Sequence, residues 1–449
     1  MFSMPQPRSR FNRVCSAIVT RDGLEASLAL LLTATCVFTS GQALAARSEY
    51  NLKADAIFAE HSTNPTDPAS ERAILFAEMK YKIDRRWTIV ASGQGWAEGV
   101  YAGRLDYPNE LRNEDFQDAR VQDGYAQIKT REFIARFGYQ QVVWGETYGS
   151  YYADIINPKD LRYGIPADVS QARLGSPMAM VKYIKRHFSL QGLVIPQAAF
   201  NILPLPGSDF SPPIAKLTGF PTVIINRDKV RPFGQDTELG VRVSQTLGQF
   251  DLSAFYFNGY DRYPFYKIDP STVLNKTLVV NEDHTRVNYA GAAVAADVGG
   301  YLVRAEFVDT QGRLVPILDK KALTAGKTDE IGYAVSVELP TYKRLNASVQ
   351  FSEKRLSEDL FYVTTRQSTQ YASLRALLSV FDSSSWETVF TYSTQDQGTR
   401  LQTELMVPLN AYVESHLGIE NYAGPSESDF GRIQRASRVF AILRMRFHQ

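Results

Sequence analysis

From Tyr50 to the C-terminus the chain is a succession of segments, each roughly ten residues long, in which apolar and polar side chains alternate. In Arg344–Ser352, Leu345, Ala347, Val349 and Phe351 share one face, while Arg344, Asn346, Ser348, Gln350 and Ser352 share the other. Eighteen such segments can be traced, from Tyr50–Glu60 to Arg438–Phe447. The joins between them alternate in length. His61–Arg72, Ala97–Asp118, Val142–Pro177, Gln197–Gln235 and Gly259–Thr285 are long. Asp84-Arg85-Arg86, Thr130-Arg131-Glu132, Arg186-His187, Leu247-Gly248 and Gly299-Gly300 are tight, with the Gly and Asp that hairpin turns use. A soluble sandwich or propeller explains neither this alternation nor the strand length, because strands in globular proteins run to about 5–6 residues. The pattern predicts an all-β fold, a transmembrane antiparallel β-barrel of about 16–18 strands with tight periplasmic turns and long extracellular loops.

The N-terminus adds an address. Arg8, Arg10, Arg13 and Arg21 form a basic leader, Leu28–Phe38 an apolar core too short to span a bilayer, and Ala43-Leu44-Ala45 a small-x-small cleavage site. Residues 1–45 therefore read as a cleaved signal peptide; a signal anchor is the weaker reading because no apolar extension follows. Residues 46–449 read as a single barrel domain in the outer membrane of a Gram-negative bacterium. Both cysteines, Cys15 and Cys36, fall in the leader, so disulfides, thiolate catalysis and cysteine-bound metal are not expected in the mature chain. No cofactor or metal site is expected. A net charge of +1 gives no footprint for nucleic acid, while the abundant aromatics suit interfacial girdles.

In such a barrel the polar faces point inward. That places Arg136, Arg242, Arg304, Arg344, Arg375, Arg400 and Arg444 on the luminal wall, with Arg446, Glu238, Glu306, Glu338, Glu404 and Glu414. Two readings stay open: a basic ladder favouring anionic or amphipathic solutes, and a wet wall whose interspersed charges pair across strands. A bore this wide is aqueous unless something fills it. The loop Val142–Pro177 is expected to fold into the mouth, because its aromatics are poorly suited to free solvent. Trp144, Glu146, Tyr148, Tyr152, Asp154, Asn157, Asp160 and Arg162 are its candidate constriction or solute-contacting residues. Asn157-Pro158 is expected to start a helical turn, with Asn157 as its cap. The loop Gln197–Gln235 is proline-rich and apolar, and reads as a lining for a hydrophobic solute or as a cap. Asn109, Ser208 and Asn275 are expected at accessible loop positions.

The run Gly138-Tyr139-Gln140-Gln141-Val142-Val143-Trp144-Gly145-Glu146, followed by Asp154-Ile155-Ile156-Asn157-Pro158-Lys159-Asp160-Leu161, resembles an uncharacterised family of porin-like outer-membrane barrels. Its members carry a Trp-Gly-Glu step and then an Asn-Pro-x-Asp segment; Trp144, Gly145, Glu146, Asn157, Pro158 and Asp160 match, and Tyr139 stands where arginine is more usual. The resemblance implies a transport-associated barrel that works beside a resistance-nodulation-division exporter and a lipoprotein, and in some members a channel for hydrophobic compounds. As a loop anchor the motif makes physical sense: Trp144 ends a strand at the membrane interface, Gly145 permits a turn and Glu146 pairs with a wall arginine.

The leading expectation is a passive, non-enzymatic channel, seated in outer-membrane lipid, for small hydrophobic or amphipathic solutes. An outer-membrane lipase- or protease-type barrel and a structural or adhesive barrel are the alternatives. None of His61, His187, His284, His416 and His448 lies in a recognisable nucleophile motif.

Overall fold

The computed structural model describes residues 48–103, 107–114, 116–145, 147, 152–164, 166, 172–211, 222–226, 232–268, 277–319, 322–357, 366–381 and 383–448. The expected signal peptide, Glu146, Tyr148 and Asn275 lie outside these residues. The strands are β1 (Ser48–His61), β2 (Asn64–Lys82), β3 (Trp87–Glu98), β4 (Gln117–Lys129), β5 (Phe133–Gln140), β6 (Ser176–Lys185), β7 (Phe188–Ile195), β8 (Thr222–Asn226), β9 (Glu238–Leu247), β10 (Phe250–Tyr260) and β11 (Phe265–Ile268). They continue with β12 (Thr277–Asp283), β13 (Arg286–Val298), β14 (Tyr301–Asp319), β15 (Ala322–Glu338), β16 (Leu345–Leu356), β17 (Ser368–Phe381), β18 (Ser384–Ser393), β19 (Thr399–Pro408), β20 (Val413–Ala423) and β21 (Arg438–His448). Eighteen of them form one antiparallel sheet, and β21 returns to pair with β1, setting Arg444 opposite Asp55 and closing the barrel. β8, β11 and β12 form a separate small sheet within the loops.

The eighteen alternating segments are the eighteen barrel strands. Their apolar faces turn outward: Phe58, Leu75, Val181, Val243, Val349, Leu374 and Leu443 are exposed and belong against hydrocarbon. Trp87, Phe133, Phe250, Tyr301 and Trp386 are exposed beside tight turns, where an interfacial girdle belongs. At Gly299-Gly300 both φ angles are positive, 64° and 87°, a conformation that lets the tight turn follow the strand twist.

Two hairpins are taller than the alternation predicts. Only Ser62 and Thr63 separate β1 from β2, so most of the expected loop His61–Arg72 is strand. β14 and β15 likewise run on to Asp319 and Ala322. Backbone pairing satisfies the N–H and C=O groups of both arms, so a ladder continues past the point where lipid dictates side-chain character. Helix is confined, among the described residues, to α1 (Gly99–Gly103), α2 (Asn109–Glu114) and a 3-10 turn at Gly431–Ala436.

Candidate functional site

β5 ends at Gln140 and the chain turns into the bore. Val142, Trp144, Ala153, Ile155 and Ile156 of the first long loop pack on inward-facing Met178, Met180, Leu193, Ile195, Phe255, Phe257, Val287, Tyr289 and Val308. Trp144 is fully buried, 5.3 Å from the Phe255 ring and edge-on to Phe257, and its Nε1 donates to Gln191 Oε1 at 3.0 Å. The expectation that Trp144 closes a strand at the membrane interface is thus corrected. The strand stops four residues earlier, and the indole is the centre of an internal cluster. Each large side chain so buried contributes about 1.5–3 kcal/mol, enough to hold the loop as part of a core.

Asn157-Pro158 starts no helix. The Asn157 amide is used otherwise: Oδ1 accepts from Val142 N at 2.7 Å, and Nδ2 donates to Gln140 O at 3.1 Å and Leu174 O at 2.9 Å. Both carbonyl and amide hydrogens are committed to joining the two legs of the loop. Asp154, also buried, is held by Arg173 Nε at 2.8 Å and Lys159 Nζ at 3.4 Å. Arg262, at the start of a later loop, completes the clamp. It donates to Glu238 of β9 at 2.9 and 3.0 Å and to the carbonyls of Ile156 and Ala199 at 2.7 and 2.9 Å.

Asp160 and Arg162 meet the wall at β4, on the other flank of β5. Arg162 Nη2 lies 2.7 Å from Asp160 and 2.9 Å from Asp118 of β4, while Arg120 Nη1 is 3.2 Å from Asp160. The Arg162 guanidinium sits 4.6 Å from the Trp96 ring centroid. Burial pushes the Asp160 carboxyl up, but Arg162 and Arg120 outweigh it and hold the group below its ordinary value. Tyr152 reaches toward β14, β15 and β16: its N donates to Glu306 Oε1 at 2.9 Å, its ring lies against Gly332, and the Lys354 ammonium is 5.1 Å from its centroid. Burial raises its phenol well above the usual value.

The second loop crosses the bore from β7 to the far wall. Leu205 joins Val100, Tyr101, Tyr107 and Leu111; Phe210 joins Tyr422 and Ala436; Tyr163 of the first loop packs on both groups. Asp209 is fixed by Arg435 Nε at 2.8 Å and faces His61 Nε2 at 3.5 Å. Ser208, expected to be accessible, is therefore buried. Rings step across the mouth from Trp96 to Tyr163, Phe210, Tyr422, Phe430 and Tyr371, with centroid spacings of 5.6, 6.4, 6.3, 6.3 and 5.9 Å.

One family model matches most of this sequence. The chain belongs to the DUF1302 family. That model, described as a protein of unknown function, matches residues 29–423. No curated protein matches the sequence. Among solved structures, the chain is similar to the outer membrane protein opdK from Pseudomonas aeruginosa, with TM-score 0.50 and 8% identity over 90% of this chain and 99% of that one. It is similar to Pseudomonas aeruginosa OccK8 (OprE), with TM-score 0.51 and 8% identity over 90% and 98%. Acinetobacter baumannii OccAB1 gives TM-score 0.51 and 8% identity over 90% and 96%. At such identities the shared property is the fold.

In this DUF1302 barrel four of the seven expected luminal arginines face carboxylates among the described residues. Arg375 is 2.6 Å from Glu387, Arg400 2.8 Å from Glu420, Arg444 2.8 Å from Asp55, and Arg304 3.2 Å from Glu338. His416 lies between Glu404 at 2.5 Å and Glu414 at 2.9 Å. Arg136 donates to Gln127 at 2.8 Å and Arg242 to Ser253 at 3.1 Å, while Arg344 is at the tight-turn end and donates to Val380 O at 3.3 Å. Asp118, Arg120, Arg173, Gln191 and Arg262 are clamp residues that the sequence reading did not single out. Asp118 and Arg120 were legible in principle, since period-two alternation puts both on the inner face of β4.

Proposed function

We propose that this protein is a passive channel of the bacterial outer membrane for small hydrophobic or amphipathic solutes, narrowed by the loop that follows β5. The observation that carries the reading is the pairing of a closed, outwardly apolar barrel with a polar inner wall on which a loop is packed as a second layer. Closure through β1 and β21 pairs the sheet's first and last strands, and the polar interior keeps a bore wet. The folded-in loop sets the free cross-section. Half-buried rings such as Trp96, Tyr163 and Tyr152 give an apolar solute body something to pass against. A periplasmic or outer-membrane lipoprotein and a resistance-nodulation-division exporter belong to the same proposal, supported by the motif resemblance alone.

Purified protein inserted into planar bilayers is expected to give stepwise conductance, and liposome swelling a size cutoff. Insertion without conductance steps or solute entry would reject the channel reading.

A further inference from the structure

Strand pairing between β4 and β5 stops early. Their ladder holds six pairs, from Lys129–Ile134 to Gly124–Tyr139, against seven to sixteen in the other barrel ladders. A strand crossing a bilayer needs about 9–11 residues; this ladder, like the seven-pair β6–β7 ladder, is shorter than that, and it is the shortest of the barrel. β4 does not stop there. It continues to Gln117 and stays paired with β3 as far as Gln117–Ala97, so along Gln117–Asp123 its other edge meets no strand among the described residues. The break is built into the backbone. Gly138 has φ +127°, and a Cβ there would come within 2.2 Å of Gly124 O and 2.9 Å of Tyr125 Cα, so only glycine fits against β4 at this pair, just before β5 ends at Gln140.

An open strand edge at membrane depth is tolerated only where protein or water covers it. Here the cover is the first long loop. Gln141 N donates to Asp123 Oδ1 at 3.2 Å, and Gln141 Nε2 to Gln122 Oε1 at 3.1 Å. Gly175 lies directly against Gln122 O, so close that a Cβ there would be 2.1 Å away. Asp160 and Arg162 add the charge contacts to Arg120 and Asp118 from inside. Outside the seam the surface is apolar, with Val121 57% and Tyr139 42% exposed; inside lie Val142 and Met178 of the loop cluster. Among the described residues no ladder hydrogen bond holds the two sides together above Gly124. Opening therefore breaks side-chain contacts of the loop and leaves the sheet intact.

We propose that this seam is a lateral exit, through which an apolar solute that has entered the bore passes between the upper part of β4 and the first loop into the hydrocarbon of the outer leaflet, the loop acting as its door. The inference rests on the channel reading above and adds a route to it. A fully aqueous exit would need no interruption of the wall, and an apolar solute is stabilised in proportion to its surface by leaving water for lipid.

The test uses the full-length protein carrying Gln122→Cys and Gln141→Cys, placed where the two side chains meet; the only native cysteines, Cys15 and Cys36, precede the barrel. The probe is N-phenyl-1-naphthylamine, an apolar dye that fluoresces on reaching hydrocarbon, added to intact cells whose outer leaflet otherwise excludes it. Oxidation is expected to slow dye entry several-fold, with recovery on reduction, while ion conductance in planar bilayers stays as in the reduced protein. A second variant, Gln122→Ala with Gln141→Ala, loosens the same seam and is expected to speed dye entry by a larger factor than any rise in conductance, because the Asn157 and Arg162 anchors of the loop stay in place. Dye entry unchanged by both variants, or dye entry and conductance falling together on oxidation, overturns the lateral exit and leaves the channel standing. A wild-type protein that neither conducts nor admits dye overturns both.

Discussion

Asn157 Oδ1 stands 2.7 Å from the backbone nitrogen of Val142, and the same side chain binds the carbonyls of Gln140 and Leu174. One buried amide thus fastens the point where the loop leaves β5 to the point where it returns to β6. Asn157→Ala leaves one N–H and two carbonyls buried without this partner, at about 1–3 kcal/mol for each group. The barrel should still assemble, because no ladder bond is lost, but the loop should loosen. The expected readout is a normal heat-modifiable band on gels with larger, noisier single-channel steps. Steps identical to wild type would show that the loop legs are held elsewhere.

Arg262 and Glu238 make a second, separate anchor. Glu238 is fully buried, and Arg262 ties it to the carbonyls of Ile156 and Ala199. Breaking one side of such a pair costs about 3–5 kcal/mol, more than removing both. Arg262→Met should therefore lower the unfolding temperature of the heat-modifiable band more than the double variant Arg262→Met with Glu238→Gln does. Equal losses, or a worse double variant, would mean that the two charges are not coupled.

The strands were legible and the loops were not, for one physical reason. Lipid imposes period two on every strand, so Leu345, Val349 and Phe351 announce their face without reference to anything else in the chain. A loop inside the bore is placed by partners more than a hundred residues away. Tyr152 depends on Glu306, and Asp209 on Arg435 and His61. The aromatic density of the first loop did signal inward packing, and the cluster around Trp144 is that packing. The local signature Asn-Pro misled, because a capping residue and a buried clamp need the same side-chain amide, and only the tertiary fold decides between them.

Acid should release the first loop at a definable point. The Asp160 carboxyl is held below its ordinary value, where burial pushes upward but Arg162 and Arg120 prevail. A depressed folded-state value means that its stabilisation is fully present above the ordinary value and is lost as pH falls through the lower, folded one. Conductance should therefore be flat down to about pH 4, the ordinary carboxylate value, and rise only below it. Asp160→Asn should give the raised conductance at neutral pH and no further acid step from this clamp. A variant that keeps the wild-type acid step would assign the transition to other groups.

The broadest prediction concerns the loop as a constriction. Deleting Tyr148 to Tyr163 removes Ile155 and Ile156 from the inner cluster, the Asp160–Arg162 clamp on β4, and Tyr163 from between Tyr101 and Phe210. It also removes the backbone contact that Leu161 N makes with Ile202 O at 2.8 Å, so the second loop loses a support on which its path across the bore rests. None of these contacts belongs to a strand ladder, and every barrel pair from β1 to β21 remains available. The deleted protein should therefore insert and shift on heating as wild type does, while its single-channel conductance rises several-fold and its solute cutoff relaxes. Truncating only 205–211 should raise conductance less, because the first loop and its anchors stay in place. If the deletion protein inserts normally and both conductance and cutoff are unchanged, the first loop does not set the bore, and Trp144, Tyr152, Asp154, Asn157, Asp160 and Arg162 serve the fold alone.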